Sequence, residues 1–145
     1  MRIACAGLAA LALALAGGCR SDNGAVLLHL SPDAVTPIAP GTYSASEAAV
    51  VFDPDGAIHF GASSNEGTLR LELTGPLEGG AILELPAGPP VLELDLEIAP
   101  FVNQGGTISV ASAAPTIIQF VSVPMVPRDG GGGVSFVIDG QGTFR

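Results

Sequence analysis

The residues best suited to chemistry include two carboxylates in the segment Asp53-Pro54-Asp55-Gly56. Calcium takes six to eight oxygen ligands, and an Asp-x-Asp-Gly segment supplies two of them. The residues that follow lack the third acid and the distal glutamate of a twelve-residue calcium loop. The same segment suits a tight β-hairpin turn, because Pro54 presets the backbone and Gly56 accepts a positive φ. We therefore predict a hairpin turn without a metal, and keep Asp53 and Asp55 as weak metal candidates.

A second group of carboxylates lies in the longest segment where leucines and acids alternate. On a β-strand, Glu93, Asp95 and Glu97 share one face, with successive carboxylates about 7 Å apart. Together with Glu72 or Glu84 from a neighbouring strand, they could form the carboxylate pair of a glycoside hydrolase. The chain contains no tryptophan and one tyrosine, so it lacks the aromatic platform common in sugar clefts. A solvated polar face explains the same residues, and we predict that the protein is not an enzyme.

Histidine chemistry is limited to His29 and His59. Nucleophilic catalysis needs a serine or cysteine beside a histidine that an acid orients. Both histidines lie within predicted strands, and the alternation Ile58-His59-Phe60 directs His59 outward. Two histidines without a cysteine pair make a weak metal signal. We therefore predict no catalytic residue and no cofactor.

The N-terminal segment has the arrangement of a cleaved signal peptide. Arg2 supplies one positive charge, residues 3–16 form an apolar run, and two glycines lead to Cys19. The run is too short to cross a bilayer, which takes about 20 apolar residues. Cys5 lies inside this segment, so Cys19 would be the only thiol of the mature chain and no internal disulfide could form.

The sequence Ala16-Gly17-Gly18-Cys19 resembles the lipobox of bacterial lipoproteins, with Ala16 where that family usually has leucine. The resemblance implies cleavage before Cys19 and lipidation of its thiol, which would anchor the protein to a membrane of the cell envelope. Because Arg20 replaces the aspartate of inner-membrane retention, it also implies the outer membrane. The alternative is cleavage after Ala16 by the ordinary signal peptidase, which would give a secreted protein.

The composition of the mature chain is acidic and bounds its partners. After removal of residues 1–18, four arginines and no lysine stand against fourteen acids, a net charge of −10. Nucleic-acid binding needs clustered cations, so we predict no nucleic-acid partner. The remaining 127 residues suffice for one domain. We assign residues 19–24 to the lipidated cysteine and a polar tether, and residues 25–145 to the domain.

The domain has the pattern of an all-β protein. Short apolar segments alternate with Gly, Pro, Asn and Asp at intervals of about 8 to 12 residues, which is typical of a sandwich or barrel. Period-two alternation, as in residues 69–73 and 92–98, predicts antiparallel strands with one face in water. We predict a single antiparallel β-sandwich of about seven to nine strands. The expected core residues are Leu28, Phe52, Ile58, Phe60, Leu71, Leu94, Leu96, Ile108, Phe120, Val134 and Phe136.

Two local features accompany this fold prediction. Residues 44–49 begin like a capping box, and are the nearest candidate for a helical turn. Pro124 and Pro127 are expected to end the apolar strand at residues 117–123, because proline lacks the N–H of the β-ladder.

Three C-terminal segments, residues 106–110, 118–125 and 134–144, look like the end of small bacterial lipoprotein β-domains with no established activity. The resemblance covers about forty residues and implies an uncharacterised envelope protein. We expect a non-enzymatic binding or structural module, with a protein partner at its loops or at an open edge strand. The alternative is a calcium-dependent or weakly hydrolytic secreted domain that uses the acidic face.

Overall fold

The computed structural model describes residues 24–32, 41–130 and 135–145. The predicted signal peptide and Cys19 lie outside these residues. None of the described residues forms a helix long and apolar enough to cross a bilayer. The described chain is all-β, as predicted, and its strands are β1 (Gly24–Pro32), β2 (Gly41–Phe52), β3 (Ala57–Ser64), β4 (Gly67–Thr74), β5 (Ile82–Glu84), β6 (Leu92–Leu96), β7 (Pro100–Asn103), β8 (Thr107–Ala113), β9 (Thr116–Pro127) and β10 (Phe136–Phe144).

Eight of these strands close into a barrel, so the predicted sandwich is wrong. The order around the barrel is β10-β1-β2-β3-β4-β6-β7-β9, and β9 pairs back with β10. The other two strands branch from β9, because β8 pairs with its first half and β5 pairs with β8. Alternating leucines and charges require only that each strand has one dry and one wet face. A sandwich and a barrel both meet that requirement, and the pairing of β9 with β10 decides between them.

Strand β9 makes closure of the barrel possible because it pairs with two different strands along one of its edges. It pairs with β8 as far as Val121 and with β7 from Met125 onward. Between these points Ser122 has a φ of 48°, and the register with β10 shifts. The carboxylate of Asp139 accepts the Ser122 backbone N–H at 2.7 Å and its hydroxyl at 3.3 Å. This irregularity is a β-bulge, which bends a strand and increases its twist.

Pro124 does not end β9, contrary to the sequence expectation, and the strand continues as far as Pro127. Pro124 pairs with Val137 of β10, and its carbonyl accepts the amide of Gln104 in the turn between β7 and β8. In an extended strand, the nitrogen and carbonyl of one residue face the same side. The nitrogen of Pro124 therefore faces the junction where the neighbouring strand of β9 changes between β7 and β8. No ladder hydrogen bond is lost there.

The barrel interior holds most of the predicted core. Leu28, Ile58, Phe60, Leu71, Leu94, Ile108, Phe120 and Phe136 are buried. Phe52 is an exception, because it lies at the last position of β2 and is 61% exposed. Leu96 is half-buried against the core, and Val134 lies outside the described residues. The predicted helical candidate, residues 44–49, is part of β2 instead, with Ala45 and Ala48 facing the core across a register shift against β1.

Candidate functional site

A groove of about 580 Å³ lies on the outer surface of the barrel, over β2, β3, β4 and β6. Its apolar lining comes from Val51 and from residues 89–91, which belong to the loop between β5 and β6. We call residues 86–91 the proline loop. His59, Arg70 and Glu93 contribute charged and polar groups to the same groove. The site thus combines an apolar wall with charges that project from the outer faces of neighbouring strands.

Asn103 holds the proline loop against the barrel. Its side chain is only 2% exposed, and its Oδ1 accepts the backbone N–H groups of Val91 and Leu92, both at 2.9 Å. Its Nδ2 donates to the carbonyl of Pro86 at 2.9 Å and to that of Gly105 at 3.2 Å. One buried amide therefore makes four hydrogen bonds and joins both ends of the loop to the end of β7.

His59 lies between two carboxylates at one side of the groove. Its Nε2 is 2.9 Å from Asp53 Oδ2, and its Nδ1 is 3.5 Å from Glu72 Oε2. Glu72 is its direct cross-strand partner on β4. The outward direction predicted for His59 is confirmed, since nearly half of its side chain is exposed. Because both ring nitrogens face carboxylates, neither faces a hydroxyl that it could activate.

The predicted acidic face is broken up by arginines and by the end of β6. Glu93 Oε1 is 2.9 Å from Arg128 Nη1 and 3.9 Å from Arg70 Nη1. Glu97 follows the last residue of β6, so it does not continue the row on that strand. Glu84 lies on β5, which pairs with β8. Of the acids considered for a hydrolase, Glu72 and Glu93 line the groove, and each already faces a basic side chain.

The hairpin predicted at residues 53–56 is confirmed. The amide of Gly56 donates to the carbonyl of Asp53 at 3.0 Å, and Gly56 has a φ of 91°. Asp55 Oδ1 accepts the amide of Ala57 at 3.0 Å, while the Asp53 carboxylate faces His59. The two weak metal candidates thus have different partners. Among the described residues, no group of three or more His, Cys, Asp and Glu side chains could hold a metal ion.

The second histidine lies on β1, which β2 separates from the strand of His59. His29 is exposed on β1, opposite Asp139 of β10, and borders a shallow depression with Leu27 and Val121. The structure therefore does not bring His29 and His59 together into one site. The candidate lipidation residue, Cys19, lies outside the described residues.

Three residues with structural roles were not recognised from the sequence. Asn103 precedes Gln104 and two glycines, so its type suggests a turn, but its partners lie up to 17 residues away. Ser122 adopts a backbone conformation that normally indicates glycine. Tyr43 is buried, and its hydroxyl lies 3.2 Å from the carbonyl oxygens of both Ala62 and Gly67. Burial raises the pKa of the Tyr43 phenol above its ordinary value.

Comparison with known proteins finds no matching family, no matching curated protein and no matching solved structure.

Proposed function

We propose that this protein is a lipid-anchored component of the cell envelope, and that its barrel is a non-enzymatic module that binds a protein partner in the groove. The proposed anchor is Cys19, at the end of the signal-like segment, and Arg20 favours the outer membrane. The observation that carries the binding role is the groove itself, with its apolar wall of Val51 and residues 89–91 beside paired charges.

The arrangement of charges favours binding over catalysis. His59 faces Asp53 and Glu72, and Glu93 faces Arg70 and Arg128. A nucleophile–base pair needs a serine, threonine or cysteine within hydrogen-bond distance of the base. Each of these side chains instead contacts one or more side chains of the opposite acid–base type, which gives the groove a fixed pattern of polar groups for recognition.

A protein partner fits this groove better than a glycan. The only tyrosine of the chain, Tyr43, is buried, and the chain has no tryptophan. Phe60 borders the groove but is only 2% exposed, so it offers no ring for a sugar to stack on. Protein interfaces, by contrast, commonly combine an apolar centre with polar and charged groups around it. The net charge of −10 for the mature chain favours a neutral or basic partner.

Site-specific photo-crosslinking in intact cells tests the groove. A photoreactive phenylalanine analogue replaces Arg70, which lines the groove with 71% of its side chain exposed. The matched control carries the analogue at Val121, which is 50% exposed on the opposite side of the barrel. We expect a discrete crosslinked product from position 70 and none from position 121. No product from position 70, or equal products from both, would contradict binding in the groove.

A further inference from the structure

The start of β1 defines which end of the barrel lies nearest to the proposed anchor. Five residues lead from Cys19 to Gly24, and a fully extended chain of that length reaches at most about 17 Å. The position of Gly24 is tightly defined, because a Cβ atom there would overlap the carbonyl oxygens of Thr143 and Ala48. Gly24 therefore marks the start of β1 between its two neighbours, β10 and β2.

The hairpin of β2 and β3 extends beyond Gly24 in the direction of the anchor. Gly24 pairs with Ala48 in an antiparallel register, so β2 runs on past the start of β1 for four more residues, to Phe52. At about 3.3 Å per residue, this extension is about 13 Å long. The turn at residues 53–56 forms its tip. Because the extension nearly equals the reach of the tether, the hairpin tip can meet the surface that holds Cys19.

The hairpin tip presents an apolar side chain as well as carboxylates. Phe52, the last residue of β2, is 61% exposed. Burial of such apolar surface in lipid is favourable. Asp53 and Asp55 follow at once, and their charges would be repelled by anionic headgroups. The chemistry of the tip therefore suits a lipid surface whose headgroups are zwitterionic.

We propose that the tip of the β2–β3 hairpin, residues 52–56, contacts the zwitterionic lipid surface to which Cys19 is anchored. This inference rests on the proposed lipid anchor and adds an orientation to it. The opposite end of the barrel, which includes the turn between β6 and β7 with Ile98, then faces away from the bilayer. The groove opens on the side wall between these two ends and stays accessible to a partner.

Tryptophan fluorescence tests this contact, because the chain has no tryptophan of its own. The variants Phe52→Trp and Ile98→Trp are each purified from membranes as mature protein and placed in phosphatidylcholine vesicles. Ile98 is the matched control, since it is 67% exposed at the opposite end of the barrel. Both native side chains are exposed, so neither substitution is expected to disturb the fold, and circular dichroism checks this.

We expect the emission of Phe52→Trp to shift to shorter wavelength in vesicles and to be quenched by spin-labelled lipids. The emission of Ile98→Trp should stay unshifted and remain open to aqueous iodide. An acylated, vesicle-bound Phe52→Trp protein without shift or lipid quenching would overturn the contact while leaving the anchor intact. Protein that carries no acyl mass and does not sediment with vesicles would overturn the anchor and the contact together.

Discussion

At the scale of single residues, Asn103 positions one wall of the groove. The backbone N–H groups of Val91 and Leu92 both depend on its Oδ1. A buried donor left without a partner costs about 1–3 kcal/mol, whereas a typical satisfied hydrogen bond contributes about 1 kcal/mol. The four hydrogen bonds of this one buried amide therefore stabilise the proline loop.

Substitution of Asn103 should loosen the proline loop and destabilise the barrel. We expect Asn103→Ala to lower the free energy of unfolding by about 2–3 kcal/mol, since the buried amide of Leu92 and the partly buried amide of Val91 lose their acceptor. The neighbouring variant Gln104→Ala is the control, because Gln104 is exposed and its backbone bond to Pro124 is retained. Urea denaturation measures both. Equal, small losses in the two variants would show that Asn103 does not hold the loop.

Tyr43 should make the stability of the barrel depend on alkaline pH. Burial raises its pKa in the folded state, whereas the unfolded phenol keeps a pKa of about 10. The folded state therefore retains a proton that the unfolded state loses, and this contribution is fully present below pH 10. It is lost as the pH rises through the folded pKa. The chain has no lysine and no other tyrosine, so few other groups titrate in this range.

Urea denaturation at about pH 9 and pH 11, on either side of the ordinary phenol pKa, measures this effect. The wild-type protein should lose more stability between the two values than Tyr43→Phe, which has no phenol to ionise. Tyr43→Phe also loses the hydroxyl bond, so it should be less stable at the lower pH. If both proteins lose the same stability on alkalinisation, Tyr43 is not the group responsible.

At the scale of the elements, the bulge in β9 allows the barrel to close. Ser122 holds a positive φ with the help of the Asp139 carboxylate, at the point where β9 changes its neighbour from β8 to β7. A non-glycine residue in this conformation costs about 1–3 kcal/mol unless local bonds compensate. The carboxylate of Asp139 accepts two hydrogen bonds from Ser122 and so offsets part of that strain.

Replacement of Ser122 by glycine should relieve the remaining strain. We expect Ser122→Gly to raise the free energy of unfolding by about 1 kcal/mol, because glycine adopts a positive φ without steric cost and keeps the amide bond to Asp139. The control Ser109→Gly, in regular β8, should lose stability because glycine weakens a strand interior. Thermal denaturation compares the two. A loss of stability in Ser122→Gly would mean that its side chain, and not a strained backbone, matters at the bulge.

The elements differ in how far the sequence predicts them. The turn at residues 53–56 was predictable because its proline and glycine act locally, and the buried leucines of β4 followed from alternation. Phe52 was assigned to the core because alternation does not reveal where a strand leaves the interior. Pro124 was expected to end β9 because proline lacks the N–H of the β-ladder. The strand accommodates it at the junction between β7 and β8, which only the tertiary structure shows. Ion pairs such as that of Glu93 with Arg128 depend on register over 35 residues.

At the scale of the whole molecule, closure of the barrel and its proposed orientation at the membrane define which surface is open to a partner. The pairing of β9 with β10 removes the two open edges that a flat sheet would have, and leaves the short β5 at the end of the strand order. The groove then lies on the side wall, over β2, β3, β4 and β6. An anchor at Cys19 would place the β2–β3 hairpin towards the lipid. The orientation of the barrel at the membrane therefore depends on the chemical state of Cys19.

Intact-mass and N-terminal peptide mass spectrometry of the protein from its native membrane tests this dependence most directly. The comparison includes wild type, Cys19→Ala, and the control Cys5→Ala, whose substitution lies in the segment expected to be removed. We predict that the wild-type and Cys5→Ala proteins begin at Cys19 and carry acyl mass, and that Cys19→Ala lacks this mass and leaves the membrane fraction. A wild-type protein that begins at Gly17 with an unmodified thiol would contradict the lipid anchor.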